Sequence, residues 1–379
     1  MKEEIKRILK LVKDKKISVQ EGIDLVEALY SEQNSKENEP FTEEIIDKFL
    51  KSFHKTTQEI QSSEQFKKIS ESIQKGTETG FQAIKDFAEK ASKTDFISNL
   101  IQTKEEKKFE LPFSIDENKT LKISNHWGNI RVVGDTEEDK IFIQSTAYGQ
   151  NQEEAIKILK NFTPMIEESE EQVVLDTGKY ENLKLDIEVH VKKMRDLNLE
   201  STYGTAKIMH VNSNIGISGE NVQLELYDCA GAICISIEKG NISASNIDAS
   251  VMHIENQVGH VDLINTTGDL KLKVINGNIG INNTDSKLIE AETVAGNISL
   301  SIINKFYGKM RLSTVQGNVK AHVPKDSNAQ IALSSVSGAV INKIKLINES
   351  QHNQSVTGVM GEGNGLIEIN TVSGNIQLD

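Results

Sequence analysis

The chain has 379 residues, 37% of them hydrophobic and 5% aromatic, with 43 Lys and Arg against 56 Asp and Glu for a net charge of -13. Its length predicts two or three domains at roughly 150 residues each. No apolar run nears the ~18 residues of a membrane helix, and the charged start Met1-Lys2-Glu3-Glu4 lacks the apolar core of a secretory signal.

Residues 1–110 are nearly balanced, with 20 basic and 22 acidic side chains, so the acidity belongs to the remainder. Such a field repels phosphate backbones and argues against general nucleic-acid binding. Two cysteines, Cys229 and Cys234, are too few for a disulfide framework, and the eight His are scattered singly. Both thiols are expected to be small buried packing residues.

The first elements are helical. Ile5, Ile8, Leu9 and Val12 recur at helical spacing. A second helix opens on Ser18, with Glu21 three positions on, a capping box that satisfies two amide donors. Ile23, Val26, Leu29 and Tyr30 supply its apolar face. Neither short helix is stable alone, so the pair is expected to close as a hairpin or dock on a partner. The stretch from Lys15 to Leu29 resembles the SHOCT-like helical hairpin found at the N-terminus of YvlB-like and LiaX-like bacterial proteins. Lys15, Gln20 and Gly22 depart from that module's usual Gly, Glu and Ala.

A polar linker, Ser31 to Pro40, precedes a third helix carrying Ile45, Ile46, Phe49, Leu50 and Phe53. A long helical pattern then runs to about Ile101, with Phe66, Ile69, Ile73, Phe81, Ile84 and Phe87 among its apolar positions. Two readings of its stripe stand: packing on protein, or loose membrane-surface contact.

Beyond Lys108 the period changes from 3.6 to 2. A Gly, a small polar residue and an aliphatic recur at Gly128, Gly204, Gly231, Gly240, Gly259, Gly268, Gly277, Gly296, Gly317, Gly338 and Gly374. The steps fall near 19–21 residues, some halved. Alternation follows each, as in Ile298, Leu300 and Ile302 with Ser299 and Ser301 between. A strand, a sharp corner and a strand repeated at this period predict a parallel, β-helix-like solenoid of serial rungs. Asn241, Asn278, Asn297, Asn318 and Asn375 follow corner glycines and are expected to stack as a ladder. Residues 106–200 read as a lead-in with a first rung at Trp127–Val132, a strand at Ile141–Ser145, a helix at Gln152–Leu159 and further strands near Val173 and Ile187.

The element order and the runs Thr293-Val294-Ala295-Gly296-Asn297-Ile298, Thr314-Val315-Gln316-Gly317-Asn318-Val319 and Thr371-Val372-Ser373-Gly374-Asn375-Ile376 resemble the bacterial putative-adhesin β-solenoid family of YvlB-like and LiaX-like proteins. That resemblance implies no established catalytic residues. For LiaX-like members it implies a part in the envelope-stress response and display at the cell surface.

The resulting expectation is a mainly β protein with an α-helical N-terminal region. A SHOCT-like hairpin spans 1–33, a linker with amphipathic helices 34–105, and the solenoid 106–379. No catalytic, cofactor-binding or metal-binding residues emerge. Carboxylates such as Asp262, Asp269 and Asp285 lie at different points of their units, and the Gly-rich run Thr357–Gly365 lacks the Lys-Ser/Thr of a phosphate loop. The expected role is non-enzymatic binding of a protein or envelope polymer, with no cofactor and no nucleic acid. The sequence places the chain in the cytoplasm, while the resemblance allows peripheral membrane or cell-surface display. One alternative is an intracellular regulatory scaffold docking on a membrane sensor; a more distant one is a carbohydrate-active β-helix enzyme.

Overall fold

The computed structural model describes residues 103–149, 151–180 and 182–379. The expected helices of residues 2–101, with the cap Ser18 and Glu21, lie outside the described residues. The chain divides into two units, the first holding Ala147–Ile158 among the described residues and the second Glu106–Thr146 with Leu159–Asp379. The second unit is the solenoid.

The described elements begin with β1 (Thr103–Pro112), β2 (Thr120–Trp127), β3 (Ile130–Val133), β4 (Lys140–Gly149) and α1 (Gln152–Asn161). There follow β5 (Ile166–Glu168), β6 (Gln172–Asp176), β7 (Leu183–His190), β8 (Asp196–Met209) and β9 (Asn214–Lys239). Next come β10 (Ile242–Val258), β11 (Val261–Asn276), β12 (Ile279–Thr284), β13 (Leu288–Ala295), β14 (Ile298–Ile302) and β15 (Lys309–Gln316). The last are β16 (Val319–His322), β17 (Ala329–Ser337), β18 (Val340–Asn342), β19 (Ile347–His352), β20 (Ser355–Met360), β21 (Gly365–Ser373) and β22 (Ile376–Leu378). α1 starts where Asn151 Oδ1 accepts the Glu154 amide at 2.9 Å, an N-cap, with Glu153 and Glu154 in its first turn.

The long strands bend through corners, and layer lies parallel on layer. The register keeps like on like: Leu224 pairs Ile242, Ile242 pairs Val261, Val261 pairs Ile279, Ile279 pairs Ile298, and Ile298 pairs Val319. All are buried. A side-chain period of 2 sends these residues and their i+2 neighbours, such as Leu263, Ile281 and Leu300, into one stacked core. Nine such layers come from residues 196–379, at a spacing of ~4.8 Å.

Serial rungs, as expected from the sequence, hold only in the middle. At the C-terminal end, β15 pairs with β21 and β21 with β17, while β16 pairs with β22 and β22 with β18. The last segment of the chain is therefore the second-to-last layer, slotted between the layers of Lys309–His322 and Ala329–Asn342. At the other end, β2 lies between β6 and β8, and β3 between β7 and β8. The layer of Thr120–Val133 is thus enclosed between those of Gln172–His190 and Asp196–Met209, and β7 pairs in turn with β4, so residues 106–200 are layers out of chain order and not the plain lead-in expected of them. The reason is physical: every layer presents the same corner chemistry, so the motif specifies a layer without specifying its neighbours.

The ends are closed by antiparallel strands. β20 pairs antiparallel with β17 and then with β19; β5 pairs antiparallel with β6. A bare stack would present a full layer of unpaired backbone, and these hairpins replace it with short edges.

Candidate functional site

The corner motif Thr-Val-x-Gly-Asn-Ile explains itself layer by layer. The Thr points inward, and its hydroxyl donates to the carbonyl of the corner glycine one layer below: Thr293 to Gly277, Thr314 to Gly296 and Thr371 to Gly317, each at 3.0 Å. Ser335 does the same to Gly374 at 2.9 Å. At Gly240 the donor is Asn256 Nδ2, at 2.9 Å, and Asn256 Oδ1 is left buried without a partner.

Gly128, Gly204, Gly240, Gly259, Gly277, Gly296, Gly317, Gly374 and Gly338 stack in one column in that spatial order, all with positive φ. Val222 holds the column between Gly204 and Gly240. Gly231 and Gly268 belong to a different column, against Ser213 and Ala249. The nine-residue steps in the sequence are therefore passages from one corner to the next within a layer.

The Asn after the glycine forms an amide ladder. Asn278 Oδ1 accepts the Asn297 amide, Asn297 Oδ1 that of Asn318, and Asn318 Oδ1 that of Asn375, each at 2.8 Å. Asn241 Oδ1 accepts from the His260 amide at 2.9 Å, and His260 Nδ1 accepts from the Asn278 amide at 3.0 Å. His260 thus fills one place in the ladder.

A second Asx column was not foreseen. His210, Asp228, Asn246, Asn265 and Asn283 all have φ between 51 and 57° and stand one above another. Asn246 Nδ2 donates to Asp228 Oδ1 and Asn265 Nδ2 to Asn246 Oδ1, both at 2.9 Å. Their spacing of 18 or 19 residues was the available signal, because Asn and Asp tolerate the left-handed region that each corner requires.

The Val of the motif points outward. Ile275, Val294, Val315, Val372 and Val336 occupy this position in five successive layers, lying between paired positions in each strand. They are 44–70% exposed. At ~4.8 Å per layer the aliphatic column runs about 19 Å. Beside it stands a column of Lys273, Glu292, Ser313, Asn370 and Ser334, whose two charges cancel. Further out, Lys309 pairs with Glu290 at 3.2 Å and Arg311 with Glu368 at 2.9 Å. The face is thus apolar along one line and neutral on balance.

Elsewhere a charged group also ties layers together. Asp196 accepts from Arg195 Nε at 2.8 Å, Asn214 Nδ2 at 2.9 Å and Thr120 Oγ1 at 3.0 Å, tying three layers together. The Arg195 guanidinium, with these hydrogen bonds, holds the Asp196 carboxyl below its ordinary range. Among the described residues no group of three or more His, Cys, Asp or Glu could hold a metal ion, and no helix is long and apolar enough to cross a membrane.

Cys229 is buried, but Cys234 is exposed, which corrects the expectation for that thiol. Cys234 falls on the outward phase between buried Ile233 and Ile235. Burial pushes the Cys229 thiol up. A thiol reagent should therefore titrate one cysteine in the native protein and two in denaturant. Two native equivalents would place Cys229 within reach of solvent.

This geometry defines a parallel β-solenoid whose layers are locked by a Thr-Gly-Asn corner and which displays an aliphatic line to solvent. The chain belongs to the Toastrack DUF4097 family, whose model matches residues 84–379; a SHOCT-like domain model matches residues 3–34. Three solved structures illustrate the likeness. A putative cell adhesion protein from Clostridium sporogenes shares 14% identity over 72% of this chain and 99% of its own, with a TM-score of 0.22. A putative adhesin from Bacteroides fragilis shares 13% over 73% and 98%, with a TM-score of 0.38. One from Parabacteroides distasonis shares 10% over 73% and 97%, with a TM-score of 0.37. No curated protein matches the chain.

Proposed function

We propose that this is a non-enzymatic binding protein, and that the aliphatic column Ile275–Val294–Val315–Val372–Val336 is its contact line for a protein or an envelope polymer. The observation that carries the reading is the exposure of five β-branched side chains in five successive layers. Isolated exposed apolar residues are ordinary, whereas a contiguous line on a rigid face marks an interaction surface. The neutral surroundings suit an uncharged or amphipathic partner. In this reading residues 1–33 form the SHOCT-like hairpin, 34–105 the linking helices and 106–379 the solenoid. The hairpin tethers or regulates the solenoid, and the setting is envelope stress or adhesion-like binding. The match of residues 3–34 to a SHOCT-like domain also favours a second reading, an intracellular scaffold recruited through that module.

Replacing Val294, Val315 and Val372 together by Thr keeps the β-branched shape and removes three exposed methyl groups. At ~0.8 kcal/mol per buried carbon, capture of a partner from bacterial envelope fractions should weaken by roughly fiftyfold. The circular dichroism spectrum should not change. Undiminished capture by the triple variant would move the contact off this face. Deleting residues 1–33 separates the two readings: capture by the solenoid persists in the first and is lost in the second.

A further inference from the structure

The C-terminal layer is an insert. β21 and β22 are hydrogen-bonded on both edges, to β15 and β16 on one side and to β17 and β18 on the other. The final backbone groups continue the pattern, with Asp379 N donating to Ala321 O at 3.0 Å and Val323 N to Asp379 O at 2.9 Å. The chain reaches this slot by an unusual route. β20 pairs with β17 on the outside, Met360 opposite Ala329; β21 pairs with β17 on the inside, Gly365 opposite the same Ala329. Residues 361–364 hook around the start of β17, with Glu362 N donating to Asn328 Oδ1 at 3.1 Å and Gly365 N to Asn328 O at 3.0 Å. The Gly-rich run of the sequence is this hook: Gly361 and Gly363 have φ of 62 and 75°.

Two consequences follow from the connectivity. β17 and β18 join β15 and β16 only through the insert, so a chain whose own insert is not in place leaves the facing edges of both layers unpaired. Every contact the insert makes, including Thr371 to Gly317 and Asn375 to Asn318, is specified by the slot and not by the hook. An identical segment from another molecule makes the same contacts.

We propose that residues 361–379 exchange between two copies of this chain, each C-terminal layer filling the slot of the other. The exchanged and closed forms share their hydrogen bonds and core and differ only in the hook and in the entropy of association, so protein concentration during folding sets the balance. Five Cα steps from Met360 to Gly365 reach about 18 Å at most, so the exchanged copies meet at their C-terminal ends.

Full-length chains carrying Cys234→Ser test this. Arg311 and Glu368 are Cα partners across β15 and β21. One population carries Arg311→Cys and the other Glu368→Cys; they are refolded together at rising concentration and oxidised. Disulfide-linked dimer should accumulate with concentration. A control mixture carrying Lys207→Cys and Glu225→Cys, partners across β8 and β9, should stay monomeric on a non-reducing gel. A single chain with both Arg311→Cys and Glu368→Cys should close internally, showing that the site supports the bond, and circular dichroism should show every chain to be β-rich. If the internal disulfide forms while the mixed chains yield no more dimer than the control, the exchange does not occur.

Discussion

Ile298→Asp should collapse the middle of the solenoid, at a loss of about 4 kcal/mol or more, whereas Ser299→Asp one residue on should cost about 0.5 kcal/mol. Ile298 is 1% exposed and stacks between Ile279 below and Val319 above. A carboxylate there finds an aliphatic column on both sides, with no counter-charge to repay its desolvation. Ser299 lies on the outer face between Gly280 and Lys320. The added carboxylate stays in water, with Lys320 on the adjoining layer. Solenoid stability is approximately a sum of layers and their interfaces, so a defect in a central layer separates the stack into two shorter ones. Urea unfolding of Ile298→Asp should accordingly lose its single transition, while Ser299→Asp retains the parent midpoint closely. Equal shifts for the two variants would mean that the strand phase is reversed.

That phase was legible in the sequence because alternation is a local signal. Ile298, Leu300 and Ile302 are buried and Ser299 is exposed, as the period of two requires. The same alternation over Ile233-Cys234-Ile235 puts Cys234 outside, and there position overrides the thiol's usual preference for burial. The amide ladder at Asn278, Asn297, Asn318 and Asn375 could be anticipated because one residue type recurs after the glycine. The Asx column from His210 to Asn283 was hidden by its mixture of His, Asp and Asn, which share a tolerance for positive φ more than a side chain. Layer order was not legible at all. Thr314, Thr371 and Ser335 make equivalent bonds to Gly296, Gly317 and Gly374. Nothing local distinguishes a layer that follows its predecessor in sequence from one that returns to fill a gap. The aliphatic line was present in the motif as its Val, but its continuity across Val315, Val372 and Val336 depends on that layer order.

Gly259→Ala should destabilise the protein by about 3 kcal/mol or more, while the same exchange at Gly216 should change stability by no more than about 1 kcal/mol. At Gly259 the backbone has φ of +140°, and an added Cβ would lie 2.0 Å from the Gly240 carbonyl oxygen and 2.6 Å from its carbon. Neither atom belongs to a side chain that can turn away. Relief requires the two layers to separate at the corner. That movement strains the Gly240 N to Val258 O bond at 2.9 Å, the Gly259 N to Asn276 O bond at 3.0 Å and the His260 rung of the amide ladder. At Gly216 the nearest atom to the added Cβ is Asn198 Oδ1 at 2.8 Å, the far end of a flexible side chain. Rotation of Asn198 clears it, and the alanine also restricts the unfolded chain, which offsets the adjustment. Thermal unfolding of the two variants should therefore diverge widely for one identical chemical change. A Gly259→Ala protein as stable as Gly216→Ala would show that the corner column tolerates a side chain, and that its glycines are not what sets the spacing of the layers.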